Sequence, residues 1–292
     1  MRLLICAGMT GGGVYPALAV LQTLTEMKAE DVLWIGSEDG MENELITRLG
    51  IPFQSIPAAG VHGVGFRKLP KNINQLRSGY QKARKIIQSF KPDVFFTTGG
   101  YLSVPVAMAA KNISSIVFIP DVEPGLALKV MIRYADRVLI STVESEKFIS
   151  NKKKITFCGY PLRKEITKWN KNDARKELGL SNKYPVLFVY GGSKGAQSIN
   201  KALYPILSDI LPAIQVIHIS GSENWAETQA NAQNLPNPLK MNYHPFSYLH
   251  ETMGAALAAA DLVVCRAGAS TLGELPYFNL PAILVPYPYA WQ

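Results

Sequence analysis

Residues 186–196 read Val-Leu-Phe-Val-Tyr-Gly-Gly-Ser-Lys-Gly-Ala: an apolar run leads directly into a turn of small residues. The same arrangement recurs at residues 3–13 and 262–271, and helical spacing follows each time. Glycine lets the backbone approach a ligand closely, and a helix start offers N–H groups and a positive dipole end to an anion. Three such turns indicate a nucleotide-type ligand held between two similar halves. For any single turn, tight packing of strand against helix without a ligand is the alternative.

Short apolar strands alternate with helical patterns along both halves of the chain. Predicted strands lie at residues 2–7, 31–35, 53–56, 94–97, 116–118, 137–140, 186–190, 215–219, 240–243, 262–265 and 282–285. Predicted helices lie at residues 16–27, 42–49, 73–89, 104–110, 125–134, 198–211, 253–260 and 271–278. This alternation is typical of parallel sheets covered on both faces, so we predict an α/β protein. The polar, basic stretch 151–184 predicts a linker with one amphipathic helix.

Composition bounds the class of protein. The 292 residues are 48% hydrophobic and 18% charged, as in a folded globular protein with room for two domains. The first apolar run is too short for a signal peptide, and no apolar stretch reaches the ~18 residues of a membrane span. Cys6, Cys158 and Cys265 are far apart and lack metal-ligand spacing. We expect buried thiols in a reducing cytoplasm, without disulfide or zinc.

The net charge of +8 is concentrated in one segment. Residues 45–92 contain no acidic residue, but include Arg48, Arg67, Lys68, Lys71, Arg77, Lys82, Arg84, Lys85 and Lys91. One interpretation is a solvated helix face. The other is a surface for anionic lipid head groups, because an apolar, glycine-rich loop at residues 61–66 precedes the basic run. Nucleic acid is disfavoured, since interleaved aromatic residues and a known nucleic-acid module are missing.

Two common nucleotide motifs do not fit the glycine turns. The first turn departs from G-x-G-x-x-G, although Glu38 stands where a ribose-binding acid would, and residues 191–195 do not match a P-loop. NAD binding and ATP hydrolysis are therefore disfavoured. The third turn leaves two interpretations of Glu274 open. Thr271 and Glu274 have capping-box spacing, yet a carboxylate in this position could equally accept hydrogen bonds from ribose hydroxyls.

Five motifs, in order along the chain, resemble the MurG family of peptidoglycan N-acetylglucosaminyltransferases. They are residues 11–19 (Gly-Gly-Gly-Val-Tyr-Pro-Ala-Leu-Ala), 98–105 (Thr-Gly-Gly-Tyr-Leu-Ser-Val-Pro), 159–163 (Gly-Tyr-Pro-Leu-Arg), 191–196 (Gly-Gly-Ser-Lys-Gly-Ala) and 265–274 (Cys-Arg-Ala-Gly-Ala-Ser-Thr-Leu-Gly-Glu). The resemblance implies a GT-B fold, two Rossmann-like domains whose parallel sheets face each other across a cleft. Residues 1–158 would form the acceptor and membrane domain, and residues 159–292 the donor domain.

The resemblance also implies substrates and site residues. The donor would be UDP-N-acetylglucosamine, and the acceptor an undecaprenyl-pyrophosphoryl-muramyl-peptide at anionic inner-leaflet lipids on the cytoplasmic face of the membrane. The reaction would invert the anomeric centre without a metal or other cofactor, and the sequence has no Asp-x-Asp motif. The substrate-binding residues would be Thr10, Gly11, Gly12, Arg163, Gly192, Ser193, His250, Ala269, Ser270, Thr271, Leu272, Gly273 and Glu274. Arg266 would at most be a charge partner.

Three departures from the family pattern bear on activity. Gly13 stands where relatives usually have a histidine, so another general base is needed. The second departure is that Phe118-Ile119-Pro120-Asp121 stands where relatives have a His-Glu-Gln-Asn segment. Asp121 and Glu123 are the candidates for the base if partial burial raises their pKa, although a helix N-terminal or turn carboxylate is the alternative for Asp121. His62 is a further candidate, in the loop at residues 61–66. The third departure is at the C-terminus. The glutamine-containing sugar loop that relatives carry after the Val-Pro motif is missing, as are their last strand and helices, so the second domain is expected to be incomplete.

The resemblance therefore implies a UDP-N-acetylglucosamine-dependent hexosyltransferase of peptidoglycan synthesis. The alternatives are a UDP-sugar transferase with another acceptor, a non-catalytic UDP-sugar-binding relative, and a nucleotide-sugar epimerase, which would consume the donor without any lipid present.

Overall fold

The computed structural model describes residues 1–8, 11–26, 31–60, 67, 69–192 and 195–288. The chain forms two compact units, Met1–Pro161 and Leu162–Gln292. Each unit has its own parallel sheet and its own buried core, so the predicted α/β class with two Rossmann-like domains is confirmed. Which substrate each unit holds stays a prediction.

Within the described part of the first unit, seven parallel strands form one sheet in the order β3-β2-β1-β4-β5-β6-β7. The strands are β1 (Arg2–Cys6), β2 (Asp31–Gly36), β3 (Phe53–Ser55), β4 (Val94–Thr97), β5 (Ser114–Ile119), β6 (Arg137–Ile140) and β7 (Ile155–Phe157). The helices are α1 (Gly11–Glu26), α2 (Met41–Arg48), α3 (Leu69–Phe90), α4 (Ser103–Ala109) and α5 (Leu126–Tyr134). The strand order reverses between β1 and β4, and ligands of open parallel sheets bind at the carboxyl ends beside such a switch point.

The described part of the second unit holds five parallel strands in the order β10-β9-β8-β11-β12. The strands are β8 (Val186–Tyr190), β9 (Gln215–Ile219), β10 (Tyr243–Phe246), β11 (Leu262–Arg266) and β12 (Ala282–Val285). The helices are α6 (Lys164–Thr167), α7 (Lys171–Glu177), α8 (Gln197–Leu203), α9 (Leu207–Ile210), α10 (Trp225–Asn234), α11 (Asn237–Lys240), α12 (Met253–Ala259) and α13 (Ala269–Tyr277). Here the order reverses between β8 and β11, directly below two of the glycine turns.

The predicted linker at residues 151–184 is wrong in part, because it contains an additional strand. Ile155–Phe157 forms β7 and pairs with β6 at the edge of the first sheet. Three lysines precede this strand. Lysine is common at exposed sheet edges, where its charge prevents pairing with a strand of another chain. Because these charged residues directly precede a strand of only three residues, the sequence pattern did not indicate a strand here. Two helices, α6 and α7, follow where one was predicted.

Several further elements differ from the sequence prediction. Helix α1 begins at Gly11, five residues before the predicted start, so the glycines form its first turn. Strand β10 lies three residues later than predicted, because residues 237–240 form α11. Its Pro245 is tolerated because β10 is an edge strand. Helix α10 was not predicted, since its sequence is polar and has few apolar residues to give it a helical period.

Candidate active site

The glycine turn of the second unit needs glycine for steric reasons. A Cβ on Gly191 would lie 2.2 Å from the amide nitrogen of Ala196, so the turn folds tightly onto the start of α8. Gly192 and Gly195 have φ of +94° and +79°, a region that side chains disfavour. A Cβ on Gly195 would also lie 2.0 Å from the carbonyl oxygen of Ser220. The turn is therefore held against the segment that follows β9. Ser193, which was predicted to bind donor phosphate, lies outside the described residues.

The second predicted donor segment is the start of α13. Gly268 is the N-cap residue, and its carbonyl accepts the Leu272 amide at 2.9 Å. The first amides of any helix have no partner within it, and Gly268 has no side chain to cap them. Ala269 to Gly273 thus surround a helix start that can hold an anion. It lies at the carboxyl end of β11, beside the switch point.

The capping-box interpretation of Glu274 is wrong. Helix α13 starts at Ala269, so Thr271 is inside its first turn and Glu274 is in the second. From there the carboxylate cannot reach back to cap its own helix start. The capping spacing in the sequence is coincidental, because the true N-cap is Gly268.

Glu274 is instead a buried acid with one charged neighbour. Its residue surface is only 6% exposed, and this burial raises the pKa of the carboxyl group to about 7, while the Arg163 guanidinium acts to lower the pKa. The hydroxyl of Tyr190, at the end of β8, donates to Thr271 Oγ1 at 3.4 Å on the same helix. Burial likewise raises the pKa of the adjacent Cys265 thiol to about 11. Tyr190 was not singled out in the sequence; the only signal was a hydroxyl at the last position of an apolar strand.

Arg163 reaches this acid from the segment that enters the second unit. The residue is half-buried and serves as the N-cap of α6, with an extended backbone. The Arg163 guanidinium lies within electrostatic range of the Glu274 carboxylate, although the two residues, both predicted to bind donor, are far apart in sequence. A guanidinium beside a helix start is suited to a diphosphate, because both favour negative charge.

Arg266, in contrast, stabilises the local backbone. Its guanidinium donates to the Pro286 carbonyl at 2.7 Å and to Ser198 Oγ at 2.8 Å. It therefore ties the ends of β11 and β12 to α8. His250 lies on the loop after β10, exposed, with its ring 4.5 Å from that of Tyr248. This loop leaves the same carboxyl edge of the sheet, but no contact joins His250 to Glu274 among the described side chains.

The glycines of the first unit lie over the switch point of its sheet. Gly11 and Gly12 form the first turn of α1, while Thr10 lies outside the described residues. Below them, the fully buried Trp34 donates its indole N–H to the Ala7 carbonyl at 2.9 Å. Thr98 Oγ1 donates to the Gly13 carbonyl at 2.9 Å. A Cβ on Gly13 would come within 3.2 Å of that hydroxyl, so a larger residue needs a small shift of Thr98.

The two candidate bases differ in their surroundings. Asp121 follows β5 in a bend, four residues before the N-cap Gly125 of α5, so it is a turn carboxylate and not a helix N-terminal one. The residue is exposed, yet local desolvation of its carboxyl group raises the pKa. Glu123 is paired with Lys129, Oε1 to Nζ, at 2.6 Å. His62 lies outside the described residues.

Neither a three-ligand metal cluster nor a membrane-spanning helix occurs within the described ranges. No group of three His, Cys, Asp or Glu side chains there is arranged to hold a metal ion. None of the helices there is long and apolar enough to cross a membrane.

Comparison with known proteins first defines the class. The glycosyltransferase family 28 N-terminal domain matches residues 3–140, and the glycosyltransferase family 28 C-terminal domain matches residues 186–292. The chain thus has both halves of a family 28 glycosyltransferase.

The relatives then define the family. The UDP-N-acetylglucosamine–N-acetylmuramyl-(pentapeptide) pyrophosphoryl-undecaprenol N-acetylglucosamine transferase of Roseiflexus sp. is 36% identical, over 100% of this chain and 79% of its own. That of Desulforudis audaxviator is 36% identical, over 99% and 79%. The crystal structure of Acinetobacter baumannii MurG matches with a TM-score of 0.73 and 27% identity, over 99% of this chain and 80% of that one. The chain belongs to the MurG family.

A second structural likeness concerns the fold alone. The UDP-GlcNAc 2-epimerase of Neisseria meningitidis matches with a TM-score of 0.64 but only 12% identity, over 97% of this chain and 82% of that one. It shares the two-domain architecture. The predicted epimerase alternative gains no support from this match, because a fold hosts many activities.

Proposed function

We propose that this chain transfers N-acetylglucosamine from UDP-N-acetylglucosamine to an undecaprenyl-pyrophosphoryl-N-acetylmuramyl-peptide, a step of peptidoglycan synthesis. Among the observations on the site, one carries the proposal: Arg163 lies within electrostatic range of Glu274, a buried acid in the second turn of α13. A cation, a helix start and a buried carboxylate together match the chemistry of a ribose and a diphosphate. The family relationship supports the same assignment.

In the proposed donor complex, the diphosphate lies against the start of α13 and the turn at residues 191–196, with Arg163 as its counter-ion. Glu274 accepts hydrogen bonds from the ribose hydroxyls. Because the Glu274 carboxylate is buried, its hydrogen bonds are stronger than they would be at a fully exposed surface. His250 lines the donor site from the loop after β10.

The proposed reaction is a direct displacement that inverts the sugar. The acceptor hydroxyl attacks the anomeric carbon, the bond to the diphosphate oxygen breaks, and UDP leaves with the bonding electrons. Negative charge develops on the leaving oxygen. In the proposed complex, Arg163 and the start of α13 stabilise that charge, which is electrostatic stabilisation without a metal.

The acceptor and the base are assigned to the first unit. Thr10, Gly11 and Gly12 would hold the acceptor pyrophosphate at the start of α1. Asp121 is the better candidate base, because Glu123 is paired with Lys129 whereas the pKa of Asp121 is raised toward the range a base needs.

The first unit also carries the proposed membrane surface, on the cytoplasmic face. Helix α3 presents exposed basic residues along one side, namely Lys71, Arg77, Lys82, Arg84 and Lys85. Helices α4 and α5 add exposed apolar side chains, namely Met108, Leu126, Val130 and Tyr134. Anionic head groups attract each basic residue by about 1 kcal/mol, and inserted apolar groups add to this.

Mass spectrometry of the products tests the activity. The protein is incubated with UDP-N-acetylglucosamine and a soluble analogue of the lipid-linked muramyl-peptide. The expected product is the acceptor plus one N-acetylhexosamine, with UDP released. Release of free sugar or of an epimer without acceptor would instead indicate another activity, and UDP binding without turnover would indicate a non-catalytic protein.

A further inference from the structure

A buried polar network lies behind the glycine turn of the second unit. It comprises Asn200 on α8, His218 on β9, Ser220 after β9, and Tyr243 on β10. All four residues are buried. Buried polar groups in proteins are almost always hydrogen bonded, so each polar atom of these four side chains is expected to have a partner.

The network is anchored on the carbonyl oxygen of Ser220. Asn200 donates to it from Nδ2 at 2.9 Å, and Asn224 donates from Nδ2 at 3.3 Å. The Ser220 amide in turn donates to the Phe246 carbonyl at 3.0 Å. The Ser220 carbonyl oxygen is also the atom that a Cβ on Gly195 would meet at 2.0 Å. The position of the Ser220 carbonyl therefore limits where the glycine turn can lie.

His218 fixes the orientation of Asn200. Because Nδ2 of Asn200 is used as donor to Ser220, its Oδ1 faces His218 Nε2 at 3.0 Å and must accept. Nε2 therefore carries the hydrogen, and Nδ1 accepts from the Tyr243 hydroxyl at 2.8 Å. Every polar atom of the imidazole is used, and the ring is in its neutral form. Burial keeps it so, since it lowers the pKa of His218 to about 4.

We propose that His218 is a positioning residue for the UDP site: through Asn200 it sets the Ser220 carbonyl, and so places the glycine turn that receives the donor diphosphate. The inference depends on the proposed function, because it assumes that residues 191–196 bind UDP. His218 itself does not touch the donor. Its effect is to hold Gly195, and with it the start of α8, in one position before the ligand arrives, which lowers the cost of binding.

Two substitutions at position 218 separate this role from stability in general. The amide nitrogen of glutamine can take the place of Nε2, so His218→Gln keeps a donor for Asn200. His218→Asn reaches only as far as Nδ1 and leaves Asn200 without its partner. Tyr243→Phe is the matched control, because it removes the hydrogen bond at the other end of the same network.

The test is calorimetric titration of wild type and the three variants with UDP, alongside their melting temperatures. We expect all three variants to melt at lower temperature. His218→Asn should weaken UDP binding by about fivefold or more, whereas His218→Gln and Tyr243→Phe should stay within about twofold of wild type. In the transferase assay, His218→Asn should raise KM for the UDP-sugar and leave KM for the acceptor unchanged.

Two outcomes overturn the inference. In the first, the loss of UDP affinity in each variant is proportional to its loss of melting temperature, whether residue 218 or residue 243 is changed. This result would mean that His218 only stabilises the fold. Equal affinities in all three variants would mean that the network does not control the turn. If the wild type itself does not bind UDP, the proposed function fails, and that result is distinct from both.

Discussion

The guanidinium of Arg163 lies near the carboxyl group of Glu274 and opposes the effect of burial on its pKa. The two residues come from the entry to the second unit and from its last helix, so the fold brings them together without help from local sequence. One is a fixed cation and the other titrates near neutral pH. This pairing makes the site sensitive to pH in a direction that can be measured.

Glu274 should make UDP binding stronger as the pH rises. The pKa of its carboxyl group is about 7, and only the ionised form accepts two ribose hydrogen bonds. Between pH 6 and pH 8 the ionised fraction rises roughly tenfold, so affinity should rise by up to about the same factor. Calorimetry across this range measures the effect. Glu274→Ala should bind UDP at least about tenfold more weakly at pH 8.

The matched control is Glu274→Gln, which keeps the size of the side chain but does not titrate. Since UDP has a titrating phosphate of its own, the quantity to compare is the ratio of wild-type to variant affinity at each pH. A ratio that stays constant from pH 6 to pH 8 would remove Glu274 from the ribose site.

Arg163 should discriminate between ligands with and without phosphate. Replacing it with methionine keeps much of the side-chain volume and removes the charge. We expect UDP to bind at least about tenfold more weakly, and uridine to bind about as before, because only the diphosphate needs the cation. Competition titrations give both affinities. Arg266→Met is the control, since Arg266 donates to a backbone carbonyl and to Ser198. An equal loss of UDP and uridine binding in Arg163→Met would count against a contact between Arg163 and phosphate.

Gly195→Ala should destabilise the second unit and impair UDP binding. The new Cβ would lie 2.0 Å from the Ser220 carbonyl, at a φ of +79°. Positive φ alone costs an alanine about 1–2 kcal/mol, and the backbone clash adds to this. Gly179→Ala separates the two effects, because Gly179 has φ of +66° but nothing within 4 Å of a Cβ. Urea unfolding should show a larger loss for Gly195→Ala; equal losses would mean that the turn simply relaxes.

Asp121→Asn should lower kcat by about 100-fold or more if Asp121 removes the acceptor proton. Local desolvation raises the pKa of the Asp121 carboxyl group above its usual value, so the wild-type rate should rise with pH through this pKa and then level off. Glu123→Gln, which loses only the pair with Lys129, should stay within a few fold. Single-turnover kinetics with bound donor measures the chemical step. If the Glu123 variant is the slower one, the assignment of the base is reversed.

Neutralising Lys71, Arg77 and Lys82 on helix α3 together, each to glutamine, should release the protein from anionic vesicles. Three basic residues contribute about 3 kcal/mol at such a surface, which corresponds to more than 100-fold in partition. Vesicle sedimentation at fixed ionic strength measures it. The control changes Lys176, Lys183 and Lys201 in the second unit, which alters net charge equally. Should both triple variants sediment alike, net charge and not this surface would explain the binding.

The sequence predicted the two sheets well because parallel strands are short, apolar and separated by helices. It missed β7, since Ile155–Phe157 is an edge strand hidden among lysines. It missed the true start of α1 because glycine has a low helix propensity, yet Gly11 to Gly13 form the first turn.

The motifs predicted which segments form the candidate site. They did not predict the role of Glu274 or the hydrogen bonds that support the glycine turn. Spacing alone could not decide between a cap and a ligand contact for Glu274, because the answer depends on where α13 begins. Nor could it reveal Asn200 and His218 as partners, since their contact joins a helix to a strand and neither residue lies in a glycine turn.

Trp34 offers a practical consequence for work on the first unit. Its indole ring is sealed in the core, and its N–H is bonded to the carbonyl of Ala7, just before the turn that is assigned to the acceptor. A change in the angle of that carbonyl alters the electric field along the ring. With the chain's other three tryptophans replaced by phenylalanine, the emission of this single fluorophore would report on acceptor docking optically, without any need for turnover.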